Sequence, residues 1–295
     1  MPGWRVPSPE EVAALVEEMA VEASLRLPAD VRDALARALR EETEELARYA
    51  LRMLLENADI ALREGVPLCQ DTGTFHLFVE MGRDACAPCY LREAAEEGLR
   101  RAHRRVPLRP SQVEDPLAER RNTGDNTPLR FHLEVDGRWE GMRLSLLVKG
   151  GGSENATSLF MLLPGEGREG LEKVVLEAVS RKAPSACPPV VVSVGVGGDA
   201  EGCLRLALKG LLRPLGKRNP RPHLAELEEE LLEKVNTLGV GAAGLGGRIT
   251  ALDVHLEEAP AHMATLPVGV VICCHSLRRA ERMVRWRGAG PGTET

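Results

Sequence analysis

Between Pro67 and Thr74 the chain crowds a thiol, an amide, a carboxylate and a hydroxyl into four consecutive residues, Cys69-Gln70-Asp71-Thr72. A second polar run, Asn122-Thr123-Gly124-Asp125-Asn126-Thr127-Pro128, has the same character. Seven cysteines is an odd count for 295 residues without a signal-peptide pattern. It points to free thiols, metal ligands or cluster ligands rather than a disulfide framework. Cys86 and Cys89 have CxxC spacing, but zinc needs two further ligands and no second pair lies at a suitable distance, so they read as ordinary thiols. His76, His132 and His255 occupy polar positions in strand patterns, where a simple hydrogen bond satisfies them. His262 differs. It lies in a loop before an apolar strand that ends in Cys273-Cys274, and loops at strand ends are where working residues are held.

Three glycine-dense segments, Lys149 to Asn155, Gly195 to Gly198 and Gly239 to Gly247, read as loops whose backbone N–H groups could share an anion site. In one of them, Val190 to Ala200, a buried strand runs into Gly195-x-Gly197-x-x-Ala200 and a helix, the outline of a dinucleotide fingerprint. No acidic strand end follows at the required distance; a basic loop from Leu212 to Arg218 stands there instead.

The pattern around these segments predicts the elements that position them. Helices are expected at Glu10 to Arg26, Val31 to Arg63 with Gly65 as C-cap, Leu91 to Arg105, Arg168 to Lys182, Ala200 to Leu212, Leu224 to Leu238 and from Leu277 onward. Strands are expected at Thr74 to Met81, Leu129 to Val135, Arg143 to Lys149, Val190 to Val194, Ile249 to Leu256 and Pro267 to Cys273, with a turn at Asp136-Gly137. The fold class is mixed α/β. A helical N-terminal layer over residues 8–106 precedes a mixed α/β unit with Gly-rich loops over 107–287 and a tail over 288–295. The whole reads as a single domain, 1–295.

Hydrophobic residues make up 43% of the chain, which supplies a core and excludes a disordered chain. The net charge of −6 and an aromatic content of 3% argue against nucleic-acid binding. No apolar run is long enough for a membrane span, and the expected location is the cytoplasm.

Taken together, CQDTGT at 69–74, RPSQ at 109–112, NTGDNTP at 122–128, KGGGSEN at 149–155, ACPP and VGVGG within 186–198, and PVGVVICCHSLRRA at 267–280 resemble one family. It is the alpha subunit of the two-subunit class I fumarate hydratases and L-tartrate dehydratases. The resemblance implies a [4Fe–4S] cluster with one open iron site, held by Cys69, Cys187 and Cys274. These are 118 and 87 residues apart, so no local motif betrays them. The family pattern places the last ligand four residues before paired arginines, here Arg278-Arg279, which selects Cys274 over Cys273. Family members usually carry an aromatic residue after that cysteine, where this chain has His275.

By the same resemblance, Asp71 gives a proton to the departing hydroxyl and Gln70 lies beside the substrate. Arg109 clamps a carboxylate, Gly152 offers a backbone contact, and His262 reaches a carboxylate. An iron with a free position acts as a Lewis acid on a hydroxyl that is otherwise a poor leaving group. The implied reaction is reversible hydration of fumarate to L-malate, with L-tartrate dehydration as the alternative and a nucleotide-binding oxidoreductase as a remote one. A beta subunit is expected to supply the remaining residues for a small dicarboxylate substrate, in an αβ dimer of dimers, a heterotetramer that is inactive as the alpha chain alone.

Overall fold

The segment Ser8-Pro9-Glu10-Glu11 carries a reciprocal helix start. Glu11 N–H donates to Ser8 Oγ (3.2 Å) and Ser8 N–H donates to Glu11 Oε2 (2.8 Å). Helix α1 (Pro9–Leu25) follows from it. The structure is a computed structural model and describes residues 6–82, 87–136 and 140–284. The remaining helices are α2 (Ala29–Glu41), α3 (Glu45–Glu64), α4 (Leu91–Arg105), α5 (Gly151–Asn155), α6 (Gly167–Lys182), α7 (Ala200–Gly210) and α8 (Pro222–Asn236). The strands are β1 (Thr74–Met81), β2 (Arg130–Val135), β3 (Met142–Lys149), β4 (Ser158–Leu162), β5 (Val190–Gly198), β6 (Ala251–Ala261), β7 (Leu266–Cys273) and β8 (Arg278–Val284).

The mixed α/β class holds, and the residues form two compact units that interleave along the chain. The first takes in residues up to Leu25, Gly65–Val148 and the chain from Arg278 onward; the second takes in Arg26–Glu64 and Lys149–Leu277. The helical front is therefore shared out, with α1 and α4 in the first unit and α2 and α3 in the second.

In the first unit the sheet order is β2-β1-β3-β8. Phe75, Leu77 and Val79 of β1 and Leu144 and Leu146 of β3 pack with Val12, Val16, Leu91 and Leu99 of α1 and α4. Two expectations change here. β1 lies between β2 and β3 and runs parallel to β2, so the segment around Asp136 does not join paired strands; Gly137 itself falls outside the described residues. The chain after Leu277 is a strand, not a helix. Its helix-forming Leu, Arg, Ala and Glu residues are overridden by antiparallel pairing with β3, Ala280 opposite Leu146. Arg282 also reaches Glu22 of α1. The tail after residue 284 lies outside the described residues.

In the second unit the order is β4-β7-β5-β6, with β6 parallel and β7 antiparallel to β5. Val175 and Val179 of α6 and Leu231 and Val235 of α8 pack on Val192, Val194, Val254, Val270 and Ile272. β4 was not foreseen, because Ser158–Leu162 has no polar alternation to mark it. Helix α7 packs close to β5 where Gly195 leaves room; a Cβ there would stand 2.0 Å from Cys203 O.

The single helix expected over Val31 to Arg63 is two helices, broken by Glu42. Glu42 is 1% exposed and adopts an extended ψ of 137°. Its carboxylate accepts the N–H groups of Thr43 and Glu44 in the break, and of Arg248 and Ile249 beyond the last glycine loop. One buried anion thus ends a helix and anchors a loop some two hundred residues away. Burial works to raise its pKa, but the four backbone donors outweigh it and leave the carboxyl below its usual 4.5. Glu42→Ala is therefore expected to destabilise the protein by roughly 2–4 kcal/mol at neutral pH, because buried donors lose their acceptor. The stabilisation is complete above the unfolded pKa and fades as pH falls through the folded one. Denaturant melts of wild type and variant should thus converge progressively as the pH falls below the carboxyl's usual 4.5.

Candidate active site

In the first unit the Cys69–Thr74 segment leads into β1. Leu68 N–H donates to Ser24 O (2.9 Å), which fixes its start against α1. Asp71 N–H donates to Cys69 Sγ at 3.4 Å, so the backbone turns back on the thiol. Cys69 and Asp71 are half-buried and Gln70 is exposed. Thr72 is 1% exposed and its hydroxyl has no partner among the described residues.

The two other first-unit motifs form one device. Asn126 is wholly buried with φ +58°. Its Oδ1 accepts from Ser111 N–H (2.5 Å) and Gln112 N–H (3.2 Å). Its Nδ2 donates to Arg109 O (3.0 Å) and sits 3.1 Å from His103 Nε2. Its carbonyl accepts from Gln112 Nε2 (2.5 Å). The amide of the second motif therefore moulds the RPSQ loop. Arg109 is exposed, and no hydrogen bond or ion pair engages its guanidinium among the described residues.

In the second unit Cys187 and Cys274 lie on adjoining segments. Cys187 is exposed and takes a left-handed φ of +53°. Such a conformation is unfavourable for a residue with a Cβ and persists only where the surroundings hold it. Its carbonyl accepts from His275 N–H (3.3 Å) and His275 Nδ1 (3.0 Å), and Pro188 O accepts from Ala243 N–H (2.8 Å). Cys274 follows the end of β7, half-buried. Its N–H donates to Ser153 Oγ (3.1 Å), and its Sγ is 3.2 Å from Ser276 Oγ. Cys273 is 1% exposed within β7, whereas Cys274, just past the strand end, is half-buried.

The KGGGSEN segment is not the expected loop but the short helix α5. Lys149 is 0% exposed and spends its three donors on Ser153 O (2.9 Å), Glu154 Oε2 (2.7 Å) and Thr157 Oγ1 (2.7 Å). Lys182 adds bonds to Asn155 O (3.1 Å) and Thr157 O (2.9 Å). Gly152 is exposed, and a Cβ on it would come within 2.9 Å of Ser185 O, beside the Cys187 turn.

The glycine loop expected at Gly195 to Gly198 does not join this group. Gly195 to Gly198 continue β5 as strand. β5 pairs Val191 with Cys273 at one end and Gly198 with Ala261 at the other. His262 follows Ala261, so β7 lies between His262 and Cys274. At about 3.3 Å per residue the strand sets them more than 20 Å apart in one chain. His262 sits in an exposed turn, its Nδ1 accepting from Ala264 N–H (3.1 Å). Gly195 of the dinucleotide-like run serves close packing of α7, and Gly197 close approach to Ala259 of β6. The guanidiniums of the following loop are engaged internally: Arg213 pairs with Glu228, and Arg218 with Asp253. Burial pushes the Asp253 carboxyl up, but His255, Gly216 N–H and Arg218 together hold it at about 2.

Two kinds of similarity meet this geometry. A model described as fumarate hydratase (Fumerase) matches residues 13–283. The chain belongs to the fumarate hydratase family. A Methanocaldococcus jannaschii protein provisionally named L(+)-tartrate dehydratase subunit alpha is 41% identical over 280 residues, covering 93% of this chain and 98% of its own. The L(+)-tartrate dehydratase subunit alpha of Escherichia coli (strain K12) is 34% identical over 264 residues, covering 88% and 86%.

Among the described residues no group of three or more His, Cys, Asp or Glu side chains is gathered to hold a single metal ion. The second-unit donors of this fumarate hydratase family member nevertheless suit an iron–sulfur cluster. Each thiolate of a cluster binds its own iron, so the ligands need not converge on one point. The two cysteines lie on segments joined through His275, one on a constrained turn and one just past a strand end. Cys203 is buried, its thiol pKa raised by burial, and Cys89 is exposed; Cys86 lies outside the described residues. Sequence reasoning missed Lys149, Ser153, Ser276 and Asn126 as the residues that shape the site, although each stands inside or beside a quoted motif. Asn126→Ala should release the RPSQ loop. We expect limited proteolysis near residues 109–122 to accelerate at least tenfold and the KM for a dicarboxylate to rise by a similar factor.

Proposed function

We propose that this chain is the alpha subunit of a two-subunit [4Fe–4S] hydro-lyase acting on L(+)-tartrate. The observation that carries the reading is that the segments of Cys187 and Cys274 adjoin through His275, with Ser153 on Cys274 N–H and Gly152 close to Ser185 beside the Cys187 turn. Cys69, from the first unit, is the third ligand, and the two units act as one alpha-subunit domain. The relatives' names favour tartrate over the fumarate–malate pair that the residues first suggested; the family model's description keeps L-malate dehydration as the second reading.

When bound, the cluster supplies a Lewis-acidic iron with an open position for the substrate's hydroxyl and carboxylate. The chain's own residues do the rest. Arg109 clamps one carboxylate through its planar fork. Gln70 and the Gly152 backbone orient the diacid. Asp71 delivers a proton to the departing hydroxyl oxygen. The C–O bond breaks and water leaves. The C–H proton on the adjacent carbon goes to a base on the beta subunit, and its electron pair forms the double bond. With L-tartrate the product is the enol of a keto-diacid; with L-malate it is fumarate. Because β7 keeps His262 away from Cys274, His262 meets the substrate from a second copy of the chain, in an αβ dimer of dimers in the cytoplasm.

Co-production with the beta subunit, anaerobic loading with iron and sulfide, and assays on L(+)-tartrate, L-malate and fumarate test the reading. We expect the largest kcat/KM on L(+)-tartrate and a fall in kcat of about 10²–10⁴-fold in Asp71→Asn at unchanged iron content. Failure to take up iron, or turnover of malate with none of tartrate, overturns it. Mixing Asp71→Asn and His262→Ala chains should restore activity that neither has alone, since one native site forms in each hybrid pair. No recovery after verified mixing removes His262 from the site.

A further inference from the structure

We propose that His275 is a positioning residue that sets the spacing between the thiols of Cys187 and Cys274. The inference rests on the reading of these two cysteines as cluster ligands and deepens it. His275 addresses one atom twice: its backbone N–H lies 3.3 Å, and its ring Nδ1 3.0 Å, from Cys187 O. A carbonyl oxygen only accepts, so Nδ1 carries a proton, which fixes the ring's orientation.

The clamped carbonyl belongs to the residue least able to hold its shape alone. Cys187 has φ +53°, and relaxation to negative φ would swing its Cβ, and with it the thiol, to a new direction. Pro188 O, held by Ala243 N–H, restrains the chain on the far side of the thiol. Cys274, adjacent to His275, is restrained through Ser153 Oγ at its N–H and Ser276 Oγ at its sulfur. His275 is therefore the bridge between two segments that are each anchored elsewhere. It joins them through the main chain of one ligand and a side chain next to the other. An aromatic hydrocarbon at this position could fill space but could not donate to Cys187 O. A backbone N–H would then be the clamp's sole donor.

His275 is half-buried and stands outside both hydrophobic cores, so its replacement removes the clamp without opening a core. The test compares wild type with His275→Ala and His275→Asn, whose amide can donate in place of Nδ1, in the complete alpha–beta complex. Two readouts avoid turnover. One is the rate of iron transfer from the loaded complex to a chelator without oxygen. The other is the yield of a Cys187–Cys274 link formed in the iron-free complex by a short bifunctional thiol reagent, mapped by peptide mass.

We expect iron loss about five- to tenfold faster in the Ala variant, in line with loss of one hydrogen bond. The link yield should fall by at least half, and the Asn variant should recover both. Iron retention and link yield equal to wild type in the Ala variant overturn the proposal. So does a fall that the Asn variant fails to reverse, or one matched by an equal loss of thermal stability in the iron-free complex, since either marks a general structural role. If wild type itself holds no iron while still forming the link, the cluster reading fails and the spacing role survives.

Discussion

The register of β5 against its neighbours is the constraint on which the second unit depends. Val191 faces Cys273, and Gly198 faces Ala261. A one-residue slip would turn every side chain of these strands to the opposite face. It would bury Cys274 or expose Cys273, and the site would lose a thiol. The same register divides the sheet into two ends. Cys187, Cys274 and α5 gather at one, while His262 and the N-terminus of α7 lie at the other. Features that look like parts of one anion site in the sequence are kept apart by the length of a strand.

Around this frame, buried polar groups act as fasteners. Glu42, Asn126 and Lys149 each satisfy most or all of their hydrogen-bonding capacity on backbone or short side chains. Buried groups of this kind are costly when half-satisfied and specific when complete. Asn126 and Lys149 each fix a segment that bears, or adjoins, a residue proposed to touch substrate or cluster. Much of the polar density that marks the motifs is thus architecture: Asn126 moulds the loop of Arg109, and Lys149 holds the helix of Gly152 and Ser153. Two of the residues proposed to touch substrate, Arg109 and Gln70, stand exposed instead.

The chain by itself settled which elements exist wherever local pattern and final environment agree. α1, α4, α6 and β1 fall within a residue or two of expectation because their apolar spacing matches the face they bury. It also held the family and the candidate residues, since collinear short motifs are strings of residue types and survive any ignorance of distance. Only the tertiary structure decided what depends on partners far away in sequence. Glu42 ends a helix because Arg248 and Ile249 need its carboxylate, and Arg278–Val284 is a strand because β3 offers it an edge. The segments of Cys187 and Cys274 adjoin where His275 meets a carbonyl 88 positions earlier. Local propensity carries no record of such pairings. They arise when the chain closes on itself, so composition and spacing can name the groups that do chemistry without saying which of them meet.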